Sequence, residues 1–154
     1  MMETPAIVTI TPQHTAMIRV IVPWDDIKTV MGPTIQEVYT AIAAQGIAPV
    51  GPWFTHHLRR PTDTFDFEAS VPIASPITPA GRVRPSQWPA MLVARTVYHG
   101  GYEGLGGAWG EFLDWIEARE LKTTDDLWES YLVGPGAGDD PSIYRTQLNK
   151  PLIG

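Results

Sequence analysis

Apolar residues recur along this chain with two different periods, and the switch between them marks the elements. Ala16-Met17-Ile18-Arg19-Val20-Ile21-Val22 reads as a β-strand. Ile35, Val38, Tyr39 and Ile42 then recur at helical spacing, with Gly32-Pro33 where a helix would start and Gly46 just past its end. An aromatic segment, Trp53-Phe54-Thr55-His56-His57, follows Pro49-Val50-Gly51-Pro52, and Thr64 to Val71 reads as another strand.

The second half repeats that order. Met91 to Tyr98 is a strand, and a glycine-rich turn leads into a helix with Leu105, Trp109, Phe112, Leu113 and Ile116 on one face. Leu127 to Val133 reads as a strand, followed by a Gly/Asp/Pro loop and a last strand from Ser142 to Leu148. Sliding one half on the other by about 74 to 77 residues superposes these elements, and a repeat outranks local propensity as a clue to fold. The predicted architecture is α+β: duplicated strand-helix-strand-strand units forming an antiparallel sheet, two helices on one face, and a pocket between the repeats. Residues 1–154 make a single domain, with repeat one at about 14–73, a proline-rich irregular connector at about 74–89, and repeat two at about 90–152. Residues before 16 read as a short tail.

Composition narrows the function. The 154 residues are 44% hydrophobic, enough for a real core, and six are Trp. The net charge of −6 argues against direct binding to nucleic acid or an anionic membrane. Basic residues gather only at Arg59-Arg60 and Arg82-Val83-Arg84. The absence of Cys excludes disulfides and thiol catalysis. With neither a signal sequence at Met1 to Gln13 nor a long apolar run, a cytoplasmic location is expected.

Trp128-Glu129-Ser130-Tyr131-Leu132 carries the most chemistry. An acid on an aromatic strand is costly to desolvate, so it needs a partner, a proton or a task. Sliding the repeats puts Phe54 at the matching position, so a paired-carboxylate mechanism of the glycosidase kind is not expected. Glu68 and Arg145 fall at equivalent places and are read as a structural pair. His56 and His57 alternate across a strand and do not share one ion, and no metal or cofactor is expected. Gly104-Leu105-Gly106 fails the dinucleotide fingerprint because Trp109 stands where glycine is needed.

Four segments together carry a resemblance: Arg95 to Tyr102, Trp109-Gly110-Glu111, Trp128-Glu129-Ser130-Tyr131, and Tyr144 to Leu148 with Pro151-Leu152. In that order they resemble the GyrI-like small-molecule-binding domain, the fold of effector domains in AraC-type and MerR-type multidrug regulators. The resemblance is strongest in the second half. It implies an aromatic-lined pocket with Glu129 at its floor as counter-charge for a lipophilic cation. Tyr102, Tyr131 and Tyr144 would wall that pocket, with Trp24 and Trp53 from the weaker half, and Trp109 as core that reaches the rim. Without chain for a helix-turn-helix ahead of residue 16, the domain is expected to stand alone. The first expectation is therefore a binding domain for a hydrophobic or cationic small molecule, acting alone or through a separate regulator. The alternative is a hydrolase of strained cyclopropane-bearing electrophiles, with Glu129 and Tyr131 as its catalytic pair. A third is an interaction module that inhibits gyrase or another protein target.

Overall fold

The computed structural model describes residues 1–153 apart from 60, 61, 135–137 and 139, so Arg60 and part of the predicted Gly/Asp/Pro loop lie outside the described residues. The chain folds into two compact units, Thr11–Ala90 and Met1–Ile10 with Met91–Gly154. Both are α+β with antiparallel strands throughout, the class the repeat implies.

The strands are β1 (Ala6–Ile10), β2 (Gln13–Pro23), β3 (Phe54–His57), β4 (Thr64–Pro72), β5 (Arg84–Trp88), β6 (Met91–His99), β7 (Leu127–Val133) and β8 (Arg145–Pro151). The helices are α1 (Ile27–Ala44) and α2 (Leu105–Ala118). In the first unit the strands lie in the order β3-β4-β2-β5, and in the second β1-β6-β8-β7.

Period-two alternation decides which side chains meet each helix. In β2, Ala16, Ile18 and Val20 are buried; they join Phe67, Ala69 and Val71 of β4 and Val38 and Ile42 of α1 in one core cluster. Arg19, between them, points away and holds Asp66 at 3.0 Å. The second unit packs Ala94 of β6, Leu127 of β7 and Leu148 of β8 against Ala108, Trp109, Phe112 and Ile116 of α2.

The structure corrects the pattern at several points. Gly32-Pro33 does not open α1 but lies inside it. Ile27, Val30 and Met31 pack on the core, and that burial extends the helix backwards despite the N–H that Pro33 lacks. Glycine before the proline removes the Cβ that would crowd the ring in a helical conformation. Gly46, at φ +66°, closes the helix as expected.

The tail and the connector also contain strands. Ala6-Ile7-Val8-Thr9-Ile10 pairs with β6, and backbone bonds from Glu3 N–H to Val97 and from His99 N–H to Met1 continue the pairing. Neither segment belongs to the repeat, so its periodicity drew no support from a second copy. In the connector β5 pairs with β2, and Ile77 and Val83 are buried in the core. Pro85 is tolerated because β5 lies at the end of its unit's strand order. Glu68 holds His56 at 3.0 Å, while Arg145 donates to the carbonyls of Ser142 and Tyr144.

One stability prediction follows from α2. Gly110 sits in its interior, and a Cβ added there meets no atom within 4 Å. Gly110→Ala should raise stability by about 0.5–1 kcal/mol, because alanine loses less backbone entropy on folding. Urea denaturation of the variant beside the wild type checks this.

Candidate functional site

In β7 the first four residues are buried, and Glu129 is 9% exposed. Its register partner on β8 is Leu148, and that of Tyr131 is Thr146, so Glu129, Tyr131, Thr146 and Leu148 share the face that meets α2. From α2, Trp109 donates its Nε1–H to Glu129 Oε2 at 2.6 Å, and Tyr131 donates its hydroxyl to Oε1 at 2.8 Å. Each carboxylate oxygen thus accepts a bond from a neutral donor. Such donors solvate a buried carboxylate without cancelling its charge.

Tyr102 and Tyr144 complete an aromatic wall. Tyr102 follows Gly101 on a single turn of 3-10 helix before α2, and Tyr144 immediately precedes β8. Their rings lie 5.4 Å apart, and Tyr102 meets Tyr131 edge-on at 6.0 Å. Burial, then Tyr144, then the charge of Glu129 raise the pKa of Tyr102, so its phenol stays neutral at physiological pH. Its hydroxyl lies 2.8 Å from where a Cβ on Gly134 would stand, so a side chain there would push the ring aside. Tyr102 is 37% exposed and Tyr144 8%, which makes Tyr102 the outer member.

The glycines ahead of α2 have a packing task. Gly100 has φ +143°, and Gly104 lies against the Tyr98 hydroxyl, in space that a side chain would take. They seat the turn that carries Tyr102.

The structure brings Glu129, Tyr131, Tyr102, Tyr144 and Trp109 together within one unit. Trp109, 5% exposed, belongs to the core as well as to the carboxylate. Trp24 and Trp53 belong to the other unit: Trp24 is 53% exposed and stacks on Phe65 at 4.8 Å, and Trp53 packs against that unit's core.

Register also corrects the position matched to Glu129. Phe54 pairs with Ser70, on the face away from the α1 core, whereas Thr55 pairs with Ala69 on the core side. Leu148 stands three residues before Pro151, as Ala69 stands three before Pro72. Thr55 is therefore the counterpart of Glu129, and His57 that of Tyr131. Thr55 Oγ1 and His57 Nε2 share a hydrogen bond of 3.0 Å, in the same i, i+2 relation as the Glu129–Tyr131 bond. By the same count Trp24 and Phe65 match Tyr102 and Tyr144. The first unit has the aromatic pair and the side-chain hydrogen bond but not the acid. Counting back from the two prolines is the sequence signal that would have found Phe65, whereas Thr55 and His57 are matched only once the strand register is known.

One carboxylate thus lies buried among aromatic side chains within a small α+β unit. The chain belongs to the GyrI-like small-molecule-binding domain family, whose model matches residues 3–152. Among solved structures it is similar to EcmrR. In an EcmrR–DNA complex the TM-score is 0.86 at 21% identity, covering 97% of this chain and 57% of that one. Against the EcmrR C-terminal domain alone the TM-score is 0.87 at 21% identity, with 97% of each chain covered. SAV2435 bound to tetraphenylphosphonium matches at a TM-score of 0.65 and 10% identity, over 99% of this chain and 95% of that one. A hydrolase encoded by lin2189 from Listeria innocua matches at 0.71 and 12% identity, over 97% and 91%. No curated protein sequence matches the chain. Among the described residues no helix is long and apolar enough to cross a membrane.

Proposed function

We propose that this domain binds a hydrophobic small molecule bearing a delocalised positive charge, with Glu129 as its counter-charge. The observation that carries the reading is the buried Glu129 carboxylate, held by Trp109 and Tyr131 and walled by Tyr102 and Tyr144. A carboxylate whose oxygens already accept hydrogen bonds favours a cation that brings bulk charge rather than strong donors. Phosphonium and quaternary ammonium ions are of that kind, and aromatic faces add cation–π attraction. The match to SAV2435 bound to tetraphenylphosphonium supports a ligand of this class for the fold.

The Tyr131–Glu129 hydrogen bond favours one second reading, a hydrolase in which Glu129 moves a proton and the Tyr131 hydroxyl orients water or the opening group on a strained electrophile. Titration of tryptophan fluorescence with tetraphenylphosphonium, and with cyclopropane-bearing alkylators followed by mass spectrometry, separates the two. Saturable quenching by the phosphonium, with alkylators recovered at unchanged mass, is the expected result. An alkylator that gains the mass of water faster than in an enzyme-free control would favour the hydrolase instead.

A further inference from the structure

Thr146 is fully buried, and among the described residues its hydroxyl has no hydrogen-bond partner. It pairs directly with Tyr131 on one side and Tyr98 on the other. Side chains directly opposite on antiparallel strands have Cβ atoms about 5 Å apart, so the hydroxyl lies in the row beneath Glu129 and Tyr131. Tyr144, two residues earlier, falls on the same face and carries the ring that meets Tyr102.

The duplication shows that the fold does not need this hydroxyl. Counted back from Pro151 and Pro72, the counterpart of Thr146 is Phe67, fully buried in the core of its own unit. An apolar side chain serves at that position in one copy, while the other holds a hydroxyl at a cost in desolvation. A buried hydroxyl without a partner, next to a carboxylate and under an aromatic wall, is a recognition group awaiting a ligand.

We infer that Thr146 sets ligand specificity, and that the preferred cation carries a hydroxyl or carbonyl group on its periphery that hydrogen-bonds to Thr146 Oγ1. This rests on the cation-binding reading of the same site. Thr146 is fully buried, so the ligand would reach its hydroxyl by displacing Tyr102, the more exposed of the two tilted rings. Thr146 then discriminates among cations that Glu129 alone would treat alike.

The test compares tetraphenylphosphonium with the ortho, meta and para isomers of (hydroxyphenyl)triphenylphosphonium, which differ from it only by one hydroxyl. The wild type should bind at least one isomer about five- to tenfold more tightly than the parent ion, the range of one net hydrogen bond. Thr146→Val should abolish that preference while leaving the parent ion's affinity unchanged, and Thr146→Ser should retain it. The melting temperature of Thr146→Val should equal or exceed that of the wild type, because valine fills the same space without a polar atom. Equal affinities for all four ions in the wild type would overturn the inference, as would a preference that survives in Thr146→Val. A clear fall in melting temperature would also overturn it, by showing that the hydroxyl has a structural partner. Failure of tetraphenylphosphonium itself to bind would instead sink the cation-binding reading on which the inference stands.

Discussion

Glu129→Gln should weaken tetraphenylphosphonium binding by about 1.5–3 kcal/mol, roughly ten- to a hundredfold, with little change in stability. The magnitude follows from Coulomb's law: two unit charges about 5 Å apart, at an effective dielectric of about 20, attract by about 3 kcal/mol. Part of that is lost to desolvation. The substitution isolates charge because glutamine keeps the local bonding. Its carbonyl accepts from Trp109 Nε1–H as Oε2 does, and its amide donates to the Tyr131 oxygen once that hydroxyl turns. Glu129→Leu would be a poorer test, since it leaves the buried Trp109 donor without its acceptor, at about 1–3 kcal/mol, and takes the partner of the part-buried Tyr131 hydroxyl as well. Calorimetric titration measures the affinity, and a thermal melt verifies that the fold is intact. An affinity unchanged in Glu129→Gln removes the carboxylate from ligand binding.

The second large effect is structural. Phe112→Ala should lower the stability of the protein by about 3–5 kcal/mol, the range for removing a buried phenylalanine ring. Phe112 is fully buried and lies one helical turn after Trp109 on the same face of α2, their rings 5.7 Å apart. The loss is a large share of the roughly 5–15 kcal/mol that keeps a typical domain folded. The cavity would also free Trp109 to move off Glu129, so ligand affinity should fall in whatever fraction remains folded. Urea denaturation gives the first quantity, and titration below the unfolding transition gives the second. A loss under about 1 kcal/mol would mean that the space behind Trp109 collapses without cost.

Much of this was legible in the sequence because repetition and periodicity reinforced each other. The stripe of Trp109, Phe112 and Ile116 and the closing strand before Pro151 each had a counterpart in the other half. Glu129 was conspicuous because an acid breaks an aromatic strand. What escaped did so for physical reasons. Burial of Ile27, Val30 and Met31 overrode the usual meaning of Gly32-Pro33, and tertiary packing of that kind leaves no local mark. Strands β1 and β5 lie outside the repeat. The match of Phe54 to Glu129 was one residue off, and in a strand one residue reverses the face. A lone threonine such as Thr146 is ordinary in a strand sequence, and only the structure shows its hydroxyl without a partner among the described residues.

Charge is the center of the functional reading, and one pair of probes isolates it. Tetraphenylphosphonium and tetraphenylborate share shape and apolar surface and differ in the sign of their charge. Calorimetric titration of the wild-type protein with each should show saturable binding of the cation and none of the anion at the same concentrations. Comparable binding of both ions would contradict the assignment, reducing the site to an apolar cleft in which Glu129 is a structural acceptor for Trp109 and Tyr131.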